Sequence, residues 1–135
     1  MSSTKQIIED TYQAFSRGDL EYIVDACAAD VVWSYYGFSG LPVIGDFKGK
    51  PGVKQFFESL RFTMKPLNFK WNEFILDGDS AVVLGSAKVQ VLSTGKTFDH
   101  NWCHVYTFKE GKIATFRGFT SNPYGMANAF SEGTV

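Results

Sequence analysis

Cysteine, excess charge and long apolar runs are all scarce in this chain. Only two cysteines occur in 135 residues, too few for a disulfide framework, and we interpret both as reduced thiols. The 13 Lys and Arg residues nearly balance the 14 Asp and Glu residues, so the concentrated positive field that nucleic-acid binding needs is missing. No run of about 18 apolar residues predicts a membrane span, and residues 1–5 lack the apolar run of a signal peptide. We therefore expect a cytoplasmic protein with neither nucleic acid nor membrane as a partner.

Aromatic residues, by contrast, are abundant. The chain has 13 Phe, 6 Tyr and 3 Trp residues, and 44% of its residues are hydrophobic, a composition that excludes intrinsic disorder. A chain of this length is typical of one domain, which we place over residues 1–135.

Hydrophobic periodicity predicts helices in the first half of the chain. Apolar residues recur at helical spacing over residues 3–18, 19–29 and 51–66. Between the second and third helices, residues 31–36 are β-branched and aromatic and predict a strand. Residues 37–50 are rich in glycine and predict a loop, whose apolar part either covers a pocket or enters a dimer contact.

The period falls to two in the second half of the chain. Strands are predicted from residue 67 onward, over 81–92, over 97–109 and over 112–120. Asp77-Gly78 is a type I′ hairpin signal, and Asn122-Pro123 opens a short tail with helical character. Helices followed by an antiparallel meander indicate an α+β domain in which the helices pack on one face of the sheet.

The predicted strand over residues 97–109 has one face made entirely of aromatic and imidazole side chains. In order, that face carries Phe98, His100, Trp102, His104, Tyr106 and Phe108. For His100 we favour a packed or exposed structural role, whereas His104 fits a pocket role and a hydrogen-bonded core role equally well. Because residues four apart on a strand are separated by roughly 13 Å, these histidines cannot share an ion, and no metal site is predicted.

Several motifs, taken together and in order, resemble the NTF2-like superfamily. They are Ile7-Ile8, Phe15-Ser16-Arg17-Gly18-Asp19-Leu20, Ala29-Asp30-Val31-Val32-Trp33, Gly49-Lys50-Pro51-Gly52-Val53 with Phe56-Phe57, and Glu110-Gly111-Lys112-Ile113. Within that group the chain is most similar to SnoaL-like polyketide cyclases and ketosteroid isomerase-like proteins. The resemblance implies a cone, in which a bent antiparallel sheet wraps around three helices and leaves a blind apolar pocket. It also implies a homodimer formed through the outer face of the sheet.

The catalytic groups of these relatives are not retained. The oxyanion-hole aspartic acid, base aspartate and oxyanion-hole tyrosine of ketosteroid isomerase fall on His104, Tyr35 and Thr11. A tyrosine, with an ordinary pKa of about 10, is a poor general base near neutrality, so steroid isomerisation by that mechanism is disfavoured. The aspartate that SnoaL-like cyclases place late in the last strand is also missing, because residues 119–121 contain no carboxylate.

The polar groups that remain predict a different site. We expect His104 to act as general acid/base and Tyr35 as a hydrogen-bond donor, similar to the His and Tyr groups of the scytalone dehydratase branch. The residues expected to contact a ligand are Trp33, Phe56, Val89, Trp102, Tyr106, Phe116 and Thr120. No cofactor is expected.

Three functions are compatible with this site. The first is an isomerase, cyclase or dehydratase acting on a small hydrophobic molecule that is cyclic or bears a carbonyl group. The second is a non-catalytic binder of such a molecule, and the third is a protein-association module. An open cavity would favour the first two, whereas a cone filled by Trp33, Phe56 and Trp102 would favour the third. We rank the three functions in that order.

Overall fold

The computed structural model describes residues 3–132, which form four helices and one open, curved sheet of six strands. The helices are α1 (Thr4–Ser16), α2 (Leu20–Asp25), α3 (Gly49–Thr63) and α4 (Pro123–Phe130). The strands are β1 (Cys27–Tyr36), β2 (Gly45–Lys48), β3 (Met64–Asp77), β4 (Ser80–Val91), β5 (Thr97–Lys109) and β6 (Lys112–Thr120). Their order in the sheet is β2-β1-β6-β5-β4-β3, and the predicted α+β class with a curved sheet is confirmed.

One pair of strands departs from the predicted antiparallel sheet. β1 and β6 run parallel, whereas every other neighbouring pair in the described sheet is antiparallel. Parallel partners need a long crossover connection, and here α3 and the strands β2 to β5 provide it. The pairing places the aromatic residues of β1 beside β6, with Trp33 opposite Phe116.

Two predicted boundaries in the first half are wrong. α2 ends at Asp25 and not near residue 29, because β1 already pairs with β6 at Cys27, opposite Ile113. Residues 37–50 are not entirely loop, since β2 pairs with β1 and places Phe47 opposite Trp33. This short strand was not predicted because glycines, which are typical of loops, lie at its first residue and directly after its last.

The third helix also ends earlier than predicted. Thr63 is its last residue, and Met64 already pairs with Val91 as the first residue of β3. Pro66 therefore lies inside a strand. The sheet tolerates a proline there because β3 is an edge strand, where a missing N–H leaves no neighbouring acceptor unpaired.

The helix caps and turns follow local sequence closely. The Oγ atom of Ser3 accepts a hydrogen bond from the Gln6 amide, and the Asp19 carboxylate accepts one from the Tyr22 amide. The predicted helical tail is present as α4. In the β3–β4 hairpin only Gly78 has a positive φ (56°), which fits a type II′ turn and not the predicted type I′ turn.

Helices α1 and α3 cover the concave face of the sheet. From α1, the ring of Tyr12 contacts aromatic rings on β3 and β5, and from α3, the ring of Phe56 contacts that of Trp33 on β1. On β5 the predicted aromatic face is the inward one, and its side chains are buried except for a half-buried His100. Within residues 3–132 no helix is long and apolar enough to cross a membrane.

Candidate functional site

A cavity of about 120 Å³ lies between the helices and the concave face of the sheet. One water molecule needs roughly 10–15 Å³ on the same measure, so the cavity has room for a ring-sized molecule. The cone is therefore not filled by its own aromatic side chains. Val43, from the apolar loop before β2, is buried in the wall, so that loop helps to cover the cavity.

The structure brings nearly all of the predicted site residues to this cavity. Those that line it are Trp33, Tyr35, Phe56, Val89, Trp102, His104, Tyr106 and Phe116. Thr120 does not line it. Its Oγ1 atom instead lies 2.8 Å from Nδ1 of His100, which does line the cavity.

His104 is held by a chain of hydroxyl groups. The Tyr106 hydroxyl donates to the Tyr12 oxygen over 3.1 Å, and the Tyr12 oxygen lies 2.9 Å from Nδ1 of His104. Since Tyr12 accepts from Tyr106, we assign its own proton to Nδ1, which makes His104 the neutral tautomer with hydrogen on Nε2. The imidazole is thus oriented with one nitrogen bound and the other available as a donor.

The surroundings of His104 keep it uncharged. Its ring stacks on that of Trp102 with centroids 4.1 Å apart and meets the edge of Phe116 at 4.7 Å. Burial, with a smaller contribution from the nearby His100, lowers the pKa of His104 to about 3. Near pH 7 the ring is therefore a neutral hydrogen-bond donor through Nε2.

Tyr35 lies in the same row of the sheet as His104. Gly118 of β6 pairs with both residues, on either side, and a Cβ atom at position 118 would collide with the ring of Tyr35. The glycine therefore leaves room for Tyr35 to lie over β6, where its ring stacks near Phe56. Burial raises the pKa of Tyr35 above its ordinary value, so its hydroxyl stays protonated.

Several polar groups in the cavity wall have no hydrogen-bond partner within residues 3–132. The indole nitrogens of Trp33 and Trp102 are fully buried and unpaired. His104 Nε2 and the Tyr35 hydroxyl also have no hydrogen-bond partner among these residues, and both residues line the cavity. Buried donors without acceptors are costly, and an oxygen-bearing ligand or water in the cavity would relieve that cost.

Sequence reasoning missed two residues of this site. It placed Thr11 at the position of an oxyanion-hole tyrosine, but the Thr11 hydroxyl donates to the Ile7 carbonyl, and the neighbouring Tyr12 binds His104. The apolar stripe of α1 already contained Tyr12, which was the available signal. His100 was expected to be packed or exposed. It is half-buried at the cavity wall, where burial lowers its pKa to about 4.

Charged groups are absent from the described cavity wall. No Asp, Glu, Lys or Arg residue among positions 3–132 lines it. The same part of the chain contains no group of three or more His, Cys, Asp or Glu residues that could hold a metal ion. The available chemistry is therefore hydrogen bonding from neutral donors in an apolar enclosure.

Solved structures similar to this chain share its fold over nearly its whole length. An NTF2-like protein of unknown function from Burkholderia pseudomallei K96243 is 27% identical, with a TM-score of 0.87, and the match covers 97% of this chain and 100% of that one. TerC, co-crystallised with polyporic acid, is 26% identical, with a TM-score of 0.79 and coverage of 93% and 96%. A candidate SnoaL-like polyketide cyclase from Mesorhizobium loti is 18% identical, with a TM-score of 0.71 and coverage of 87% and 98%, a likeness of fold alone.

The family assignment comes from the sequence itself. A comparison with curated proteins finds no significant match. Residues 8–116, which contain the first five strands and most of β6, match the SnoaL-like domain. The chain belongs to the SnoaL-like domain family, within the NTF2-like fold.

Proposed function

We propose that this protein binds a small aromatic or alicyclic carbonyl compound in its apolar cavity. His104 Nε2 and the Tyr35 hydroxyl donate hydrogen bonds to the carbonyl oxygen. The observation that carries the proposal is the presence of these two protonated, unpartnered donors on the wall of a cavity that contains no charge. The similarity to a protein crystallised with polyporic acid supports an organic ligand.

Two such donors suit reactions that pass through an enol or enolate. The oxygen of an enolate carries more negative charge than that of the parent ketone, so the same donors bind it more strongly. Isomerases, cyclases and dehydratases of carbonyl compounds all use such species. The role of His104 as proton acceptor stays a prediction, because a group with a pKa near 3 is a weak base at pH 7.

Acetophenone and ethylbenzene test this proposal because they differ mainly in the carbonyl oxygen. We expect His104→Phe to weaken acetophenone binding by about twofold to tenfold, since a hydrogen bond contributes roughly 0.5–1.5 kcal/mol. Ethylbenzene affinity should change little, because the replacement ring is apolar and of similar size. Titration of tryptophan fluorescence, which Trp33 and Trp102 report from the cavity wall, measures both affinities.

The matched control is Tyr124→Phe, because Tyr124 is 72% exposed and lies outside the cavity. Both ligands should bind this variant as they bind the original protein. Equal losses of acetophenone and ethylbenzene affinity in His104→Phe would mean that the donor is not used. Failure of acetophenone to bind the original protein would remove the proposal altogether.

Non-catalytic binding is the second candidate function. It is favoured by the lack of any carboxylate in the described cavity wall, which leaves no strong base for proton abstraction. Exchange of the acetophenone methyl hydrogens in D₂O, followed by NMR, separates the two candidates. An enzyme that forms the enolate accelerates this exchange over buffer, whereas a binder does not.

We also propose that the protein is a homodimer formed through the outer face of its sheet. Tyr36 and Phe119 stack there with centroids 4.9 Å apart, although both are more than a third exposed. We expect light scattering to give twice the chain mass of 15.1 kDa, and Phe119→Asp, which puts a charge into the apolar contact, to halve that mass. Circular dichroism checks that the variant is folded. A monomer mass for the original protein would contradict the proposal.

A further inference from the structure

A second cavity adjoins the first on the outer side of the helices. It has a volume of about 340 Å³ and lies where α2, the end of α3 and the start of β3 meet. The two cavities share the lining residues Phe15, Ile23, Phe57, Leu60, Met64 and Pro66. The two cavities therefore meet along these side chains. Exposed residues such as Leu92 and Lys65 form the rim of the second cavity, so it faces solvent.

The outer cavity differs from the inner one in its charge. Arg61 and Lys65 both line it, and neither has an ion-pair partner within residues 3–132. Asp19 is the only acidic residue in its described lining, and Asp19 is already engaged. One of its oxygens pairs with Arg17 at 3.2 Å and the other accepts the Tyr22 amide at 3.1 Å. The outer cavity therefore presents two uncompensated positive charges beside an uncharged apolar chamber.

We propose that the ligand is an amphipathic carboxylate, with its carboxylate bound at Arg61 and Lys65 and its apolar body in the inner cavity. The inference rests on the proposed function, since both concern one ligand that spans adjoining cavities. A buried carboxylate would be expensive in the inner cavity, where no cation is available. At the outer cavity the same group gains two charge-assisted hydrogen bonds and keeps contact with water.

A purely structural role for the two cations predicts a different behaviour. Arg61 lies in the last turn of α3, where a positive charge stabilises the helix C-terminus. In that case its replacement would lower stability without changing which ligands bind. Lys65 lies beyond the helix, on β3, and this explanation does not account for it. Ligand preference therefore distinguishes the two roles.

Phenylalkanoates of increasing chain length, each paired with its primary amide, test the proposal by calorimetric titration. The acid and the amide share one shape and differ in charge. At the chain length that binds best, we expect the acid to bind about fivefold to tenfold more tightly than the amide, a preference that added salt reduces. Arg61→Gln combined with Lys65→Gln should abolish the preference. Lys54→Gln, on an exposed face of α3 outside both cavities, should keep it.

The outcomes separate this inference from the proposed function. Equal affinity for acids and amides, or binding of acetophenone without either series, would overturn the carboxylate site and leave carbonyl binding intact. A preference for acids that persists in the double variant would also overturn it. If neither series nor acetophenone binds, the proposed function fails and this inference fails with it.

Discussion

Replacement of Gly85 by alanine is expected to lower the free energy of unfolding by about 3 kcal/mol or more, the upper end of what overpacking costs. Gly85 of β4 lies directly opposite Trp102 of β5 and also pairs with Trp71 of β3. A Cβ atom there would collide with both the Lys70 carbonyl oxygen and the Trp102 ring. Neither can move freely, because one is backbone and the other is stacked between Phe69 and His104.

Urea denaturation measures this effect, and Gly37→Ala is its control. A Cβ atom at position 37 would lie 2.8 Å from Cδ1 of Ile44, the movable end of a side chain, so the second substitution should cost much less. Similar midpoints for Gly85→Ala and the original protein would show that the sheet adjusts at Trp102. The same variant should also weaken ligand binding, since Trp102 forms part of the cavity wall.

Acidification from pH 7 to pH 4 is expected to destabilise the protein by about 3 kcal/mol through His104 alone. The unfolded chain binds a proton at this residue below its ordinary pKa of 6.5, whereas the folded chain holds the pKa near 3. The unfolded state therefore carries more protons throughout this window, and stability falls as pH falls. Above about pH 7.5, where the residue is neutral in both states, it contributes no pH dependence.

Comparison with His104→Phe isolates this contribution. Unfolding free energies measured between pH 4 and pH 7 should vary less in the variant, by about the same 3 kcal/mol. His100, whose pKa is lowered to about 4, contributes to the remaining slope in both proteins. A variant curve as steep as that of the original protein would show that folding does not lower the pKa of His104, and would contradict its burial as an uncharged ring.

The sequence predicted the fold class correctly but placed several ends of helices and strands wrongly. The alternating burial of side chains on β5 and the apolar stripes of α1 and α3 follow from which side chains must be buried. These three patterns are confirmed. The errors arise where pairing with a strand distant in the sequence determines whether a segment is helix, strand or loop. Residues 45–48 are too few to predict a strand, and glycines at positions 45 and 49 indicate a loop, but pairing with β1 stabilises them as a strand.

The residues that line the candidate site could be predicted from the sequence, whereas the hydrogen bonds among them could not. Strand parity and the resemblance brought Trp33, Trp102 and His104 together correctly on one face. The contact between Tyr12 and His104 joins residues 92 positions apart, and it depends on how α1 turns over the sheet. The prediction was wrong by one residue on that helix. The Thr11 hydroxyl is bonded within α1, and the next residue, Tyr12, orients the imidazole.

The parallel pairing of β1 with β6 governs the order in which the polypeptide can acquire its structure during synthesis. β1 is synthesised before its partner over residues 112–120, and the strands β2 to β5 and α3 are made between the two. Until then the side chains of β1 are covered mainly by β2 and α3. Contacts this distant in sequence slow folding and leave apolar surface open to aggregation. A nascent chain stalled before residue 112 should therefore depend on chaperones in a way that a chain containing β6 does not.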